Sequence, residues 1–323
     1  MSDEPEYGPA EYLCYEVIRQ MENRGQEVPE TAFNKLCALV HDEIANTEEV
    51  DLPLHWYQYG YEVNRRYLND DFLVETYNAQ WQHSGMQISI EDVSSDVFDV
   101  ADEIKASIRS AASRFADKFQ NTYTTAEIKD YSYERQAPNE FIQVMNEFRD
   151  ELDDLDAEGA ATRDEHVPGV SISITDTTEV EASSSDIDAS DVDDEEINEY
   201  LRRLSRTFPE DTYTTMQPVF YQWRTLCKQL IRHDLYGELR EFQSSFWNTF
   251  SRVELRIHHS ENIPLGQRRQ WKGERDEQID QFKDEMAAKR QVIQNHREPT
   301  DRLSSVSAAY DEAVEKINKQ TEQ

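Results

Sequence analysis

The residues of this chain equipped for chemistry are few, and their spacing decides what they can do. Val40-His41-Asp42-Glu43 places three metal-ligand types in succession, yet neighbouring positions on a helix point about 100° apart, so the three cannot close on one ion. A solvated helix face is expected there. His258-His259-Ser260-Glu261 falls at a predicted helix end without the i, i+4 spacing that paired helical ligands use, and capping is the expected role. His233-Asp234 lies one to two turns from Cys227 with no other nucleophile that the sequence brings near, so no nucleophile–base pair is assigned. The reading is a non-enzyme with no catalytic residue, metal site or cofactor.

Two segments read instead as contact surfaces. Arg268, Arg269, Lys272 and Arg275 surround Trp271. Basic residues around an aromatic can grip phosphates and stack a base, or they can pair along the helix with Asp276, Glu277 and Asp280 or with an acidic segment elsewhere. The second segment is Leu54-His55-Trp56-Tyr57-Gln58-Tyr59-Gly60-Tyr61, the densest aromatic stretch of the chain. Trp56, Tyr57, Tyr59 and Tyr61 are candidate partner contacts. Core packing is the better reading of Trp56 and Tyr59, while Tyr57 and Tyr61 stay open to either role.

The elements that must position these residues are helices. Nine glycines in 323 residues, no two within five positions, exclude a dinucleotide fingerprint, a P-loop and a nucleophile elbow. Helices with short connections need few glycines. Leu13, Val17, Ile18 and Met21 form one stripe ending at Gly25, and Phe33, Leu36, Cys37, Val40 and Ile44 form a second after Pro29. A helix is predicted over 64–82, another over 95–120 and a short one near 125–133. A further helix, over 138–155, carries Phe141, Val144, Phe148 and Leu152. The fold class is therefore all-α, with an N-terminal bundle over 1–155. Residues 156–192, rich in Asp, Glu, Ser and Thr, bury too little to offset ordering entropy and are expected to form a disordered acidic linker. Gly85 to Ile90 and Gly169 to Thr175 alternate in a strand-like way, but two such short alternations arise by chance and no sheet is assigned. Residues 193–323 predict a C-terminal helical domain. It has a long helix over 218–259 broken near Asp234 to Gly237, a turn at Pro264-Leu265-Gly266, and a last helix starting at Pro299-Thr300-Asp301. The narrow apolar stripes predict a long-helix hairpin or a three-helix, coiled-coil-like bundle.

Charge sorts these segments. The chain has 67 acidic and 33 basic residues, a net charge of −34. Residues 1–150 hold 12 basic against 30 acidic, 151–200 hold 1 against 18, and 201–323 hold 20 against 19. Basic residues are mostly arginine, 23 Arg to 10 Lys. Carboxylates hold water and hydrated cations at a surface, and a molar-salt Debye length of about 3 Å screens their mutual repulsion, so a halophilic archaeon, or one of its viruses or plasmids, is the expected source. The mean field repels nucleic acid. The near-neutral C-terminal domain is expected to recruit a partner or to form a homo-oligomer. Three scattered cysteines, Cys14, Cys37 and Cys227, indicate buried free thiols. The opening MSDEPEYGPA lacks the charged and apolar regions of a signal peptide, and with no long apolar run a cytoplasmic, non-membrane protein is expected.

Asn34-Lys35-Leu36 on a helix, followed by Trp56-Tyr57-Gln58-Tyr59-Gly60-Tyr61-Glu62-Val63, resembles the Panacea (SocA-like) antitoxin domain, in which a Lys-Leu helix precedes an aromatic-Tyr-Gly-Pro-Val segment. Tyr61-Glu62 stands where the family has proline. Tyr123 to Phe141, with Ala137-Pro138 before a helix, is similar to uncharacterised halophilic archaeal proteins. The resemblance spans at most 10–150 and implies an all-α protein-binding domain that neutralises a partner such as a toxin, with no catalytic residues. The expected function is a non-enzymatic interaction protein. The alternative is a nucleic-acid-associated regulator using the arginines near Trp271.

Overall fold

A computed structural model of the chain describes residues 7–58, 60–77, 86–90, 93–120, 125–164 and 194–321. The chain order is α1 (Pro9–Glu22), α2 (Glu30–Ile44), β1 (Leu54–Tyr57), β2 (Gly60–Val63), β3 (Leu73–Tyr77), β4 (Met86–Ile90), α3 (Asp102–Phe119), α4 (Thr125–Gln136), α5 (Glu140–Asp164), α6 (Asp194–Thr207), α7 (Gln217–Ile231), α8 (Tyr236–Phe250), α9 (Arg256–His258), β5 (Ser260–Glu261) and α10 (Leu265–Thr321). Two compact units emerge: Met1–Gln143 with Phe250–Asp276, and Val144–Thr249 with Glu277–Gln323. The segment 250–276 thus belongs with the N-terminal residues, whereas the sequence pattern places the division near 155.

In the first unit, α1, α2 and α3 pack on one another through Leu13, Val17, Ile18, Phe33, Leu36, Val40, Ile108 and Phe115. Local chemistry sets their ends. Glu11 turns back to accept the Gly8 N–H at 3.0 Å, ahead of Pro9 in the first turn of α1. At its far end Gly25 adopts φ +73°, a left-handed stop that the sequence predicts. α2 is buried on nearly every side, including Asn34 and Lys35.

The fold is mostly helical, but two small antiparallel sheets correct the all-α expectation. β1 lies between β2 and β5, and β3 pairs with β4. Within the described residues, to Tyr77, the helix predicted over 64–82 is instead a single 3-10 turn, Arg65–Tyr67, followed by β3; residues 78–82 lie outside the described residues. Leu73–Tyr77 finds its backbone partners in Met86–Ile90, so the strand-like alternation at 86–90 is a true signal. Residues 169–175 lie outside the described residues, as do 165–193 of the expected linker; its first residues, to Asp164, continue α5.

In the second unit, aromatic residues make the core. Trp223 stacks on Phe246 at 4.3 Å, Phe208 on Phe220 at 4.3 Å, and Phe242 on Phe282 at 5.5 Å. The predicted break lies between α7 and α8, where Asp234 takes φ +55°. The last helix predicted to start at Pro299-Thr300-Asp301 is not a separate element: α10 runs without interruption from Leu265 to Thr321. Lys289 on α10 bonds Glu241 at 3.0 Å and also pairs with Glu238, both on α8.

Candidate functional site

The site grows from the two faces of the β1–β2 hairpin. Register pairs Leu54 with Val63 and Trp56 with Tyr61 on one face, and His55 with Glu62 and Tyr57 with Gly60 on the other. The first face is core. Trp56 is 0% exposed and edge-on to Tyr61 and Tyr133. At roughly 200 Å² of buried surface it stabilises the unit by up to about 5 kcal/mol.

α2 holds the hairpin by its backbone. The Val63 N–H donates to Asn34 Oδ1 at 3.0 Å, and Lys35 Nζ donates to the Tyr61 carbonyl at 3.1 Å. Lys35 is 1% exposed and lies directly beneath Gly60, which takes φ +99°. The positive φ calls for glycine, and a Cβ at position 60 would stand 3.1 Å from Lys35 Nζ and press on the lysine tip. Burial lowers the Lys35 pKa against the pull of Glu62, and burial raises Glu62 against the pull of Lys35.

The second face opens into a groove of about 820 Å³. His55 forms its floor, 3.8 Å from Glu62 through Nε2 and stacked obliquely on Trp271 at 5.4 Å. Burial pushes the imidazole down to about 4, helped by the charges of Arg256 and Lys35, so His55 is neutral at pH 7. Its Nδ1 is buried and has no hydrogen-bond partner among the described residues. Arg256 lies over the Trp271 ring at 5.2 Å and pairs with Glu274 at 3.0 Å; burial lowers its pKa, with Arg252 adding to the effect. Arg252 Nε donates to the Tyr57 hydroxyl at 3.2 Å. At the other rim Arg65 is engaged by Asp70 at 2.6 Å and by Glu75, while Arg66 is exposed and makes no ion pair among the described residues.

The predicted contact residues separate. Tyr57 lines the groove, and Tyr61 lies on the other face, its phenol pushed up to about 12 by burial. Trp56 is enclosed, and Tyr59 lies outside the described residues. In the basic cluster Trp271 is 5% exposed, packed with Ile257 and Ile263. Arg268 and Arg275 share its helix face at i−3 and i+4. Each keeps a buried Nε with no hydrogen-bond partner among the described residues, and Arg268 Nη2 donates to the Ser260 carbonyl at 2.8 Å. Arg269 and Lys272 are exposed. Elsewhere, His41 bonds the Val50 carbonyl at 2.9 Å, and Arg135 engages Asp42 and Glu43 at 3.6 and 3.2 Å, so this triplet divides as its helical spacing requires. His258 pairs with Glu254 one turn back at 3.1 Å. Among the described residues no group of three or more His, Cys, Asp or Glu could hold a metal ion, and no helix is long and apolar enough to cross a membrane.

Sequence reasoning passes over His55, Glu62, Arg66, Arg252 and Arg256 as site residues. A lysine and an asparagine on a helix with buried apolar neighbours are a readable sign of a clamp; the arginines arriving from 250–256 carry no such sign. Comparisons with protein families, curated proteins and solved structures find no match.

Proposed function

We propose that this chain is a non-enzymatic protein-interaction protein of a halophilic archaeon, or of one of its viruses or plasmids. In this reading the first unit holds a partner protein in the manner of an antitoxin-like domain, and the second recruits or self-associates through its long helices. The observation that carries the reading is the open groove on the outer face of the hairpin, walled by Tyr57 and by arginine side chains and fixed from below by Asn34 and Lys35. Long or aromatic side chains held on rigid strands are the usual anchors of protein interfaces. The alternative, a nucleic-acid-associated regulator, requires an aromatic free to stack on a base, and Trp271 is buried.

The test is affinity capture from host extract in molar KCl with the full chain and with Tyr57→Ala/Arg66→Glu. One specific protein retained by the wild type and lost by the variant is the expected result. Equal retention by both, or none above background, refutes the reading.

A further inference from the structure

Cysteine is scarce in this chain, and two of its three copies meet. Cys14 lies on α1 in the core that holds Leu13, Val17 and Ile18, and Cys37 lies on α2 with Phe33, Leu36 and Val40. These helices pack directly on each other, and the two thiols come within hydrogen-bonding reach across the interface. Packed helix axes run about 8–10 Å apart with Cα atoms about 2.3 Å off each axis, so facing residues hold their Cα atoms roughly 4–6 Å apart. A disulfide spans roughly 4.4–6.8 Å between Cα atoms, so neither helix has to move far for the sulfurs to bond. Both side chains are fully buried. Burial, with Cys14 beside it, raises the Cys37 pKa well above its ordinary value, so the pair is unreactive while α1 stays seated on α2. Cys227 belongs to the other compact unit.

We propose that Cys14 and Cys37 form a redox-addressable pair whose oxidation crosslinks α1 to α2, with a low-molecular-weight disulfide as the oxidant. The thiolate of one cysteine attacks a sulfur of the reagent, and one reagent thiolate leaves. The second cysteine, as thiolate, attacks the protein sulfur of that mixed disulfide, the Cys14–Cys37 bond forms, and the second reagent thiolate leaves. The two cysteine protons pass through solvent to the departing thiolates; the protein loses two electrons and the reagent gains them. Because neither sulfur is reachable in the closed fold, the first step needs α1 to lift from α2, and the second is completed as the helices repack and bring the sulfurs together. The crosslink reaches the groove through α2. Asn34 and Lys35, which hold the hairpin from below, lie on the same helix within a turn of Cys37, so oxidation ties α1 to the platform under the hairpin. Packing alone, by contrast, would give the folded chain no preference for the bond.

The experiment equilibrates the full chain with oxidised and reduced glutathione at a series of ratios, in native buffer with molar KCl and again in concentrated urea. Acid quenching, alkylation and peptide mass mapping then locate every thiol. In native buffer a Cys14–Cys37 crosslink is expected, so that of the three cysteines only Cys227 is alkylated. The equilibrium constant for the crosslink should be at least about tenfold higher in native buffer than in urea, because the fold holds the two sulfurs together. By linkage, the crosslinked chain should unfold at a higher urea midpoint than the reduced chain. Cys14→Ala and Cys37→Ala should each lose both the crosslink and the midpoint shift; the wild-type map decides the matter even if a variant folds poorly. Three alkylated cysteines, a persistent glutathione adduct, bridges that involve Cys227, or an equal constant in native buffer and urea would overturn the proposal and leave packing as the pair's role.

Discussion

Replacing Gly60 by alanine tests the arrangement that fixes the groove floor. Two costs follow from the geometry. A side chain at φ +99° leaves the allowed regions for L-residues, a penalty of about 1–2 kcal/mol. The new methyl would also stand 3.1 Å from Lys35 Nζ, a buried amine with little room to retreat, and pushing it away stretches its bond to the Tyr61 carbonyl. A shift of a few tenths of an ångström weakens that bond without breaking it, adding about 1 kcal/mol, so the sum is about 2–3 kcal/mol. Gly25 supplies the control within the same unit: its φ is +73°, and a Cβ there meets nothing within 4 Å. Gly25→Ala therefore carries only the backbone term, about 1 kcal/mol. Equilibrium urea denaturation in molar KCl, followed by tryptophan fluorescence, measures both variants on the same unit's transition. Adding Lys35→Met to Gly60→Ala should recover part of the difference, since the thioether is uncharged and bends more easily. If Gly60→Ala costs no more than Gly25→Ala, Lys35 does not support the hairpin as described.

Glu62→Gln removes the charge that favours protonated Lys35; the buried amine then sheds its proton, so the cost should be only about 1 kcal/mol, and the double variant Lys35→Met/Glu62→Gln should cost less than the two single changes added, a cycle read by urea denaturation. His55 has a folded pKa of about 4 against an ordinary 6.5, so its contribution is fully present above pH 6.5 and is lost as pH falls toward 4. That loss is up to about 3 kcal/mol. The effect of His259, also pushed down to about 4 by burial, runs in the same direction, so the difference between wild type and His55→Gln across pH 4–7 isolates the His55 share. In the second unit Trp223→Ala removes the ring stacked on Phe246 and should cost about 3–5 kcal/mol, seen as a lowered thermal midpoint of that unit.

Much of the helical framework is readable because its signals are local. The stripes of α1 and α2, the stop at Gly25 and the break at Asp234 each depend on residues within one or two turns. The sheets are not readable for the opposite reason. Leu73–Tyr77 is a strand because Met86–Ile90 supplies its hydrogen bonds, and 64–77 alone carries enough spaced apolar residues to imitate a helix. Pro299 misleads in another way: proline usually marks a helix start, yet α10 continues through it. The groove is least legible. His55 and Glu62 are paired by hairpin register, but Arg252, Arg256 and Trp271 reach them from far later along the chain, through a strand, β5, of only two residues. The aromatic segment announces itself as a contact candidate; which of its faces is buried depends on a two-residue alternation that only the pairing partner fixes.

The central claim, that a partner protein docks on the outer face of the hairpin, is tested most directly by site-specific photo-crosslinking in the cells that make the protein. A photoreactive phenylalanine analogue is placed at Tyr57 in the groove and, for comparison, at the exposed Arg206 of the other unit. The account predicts one crosslinked protein from position 57, absent from position 206 and lost when Arg66→Glu is added. No adduct from position 57, or the same adducts from both positions, would contradict it.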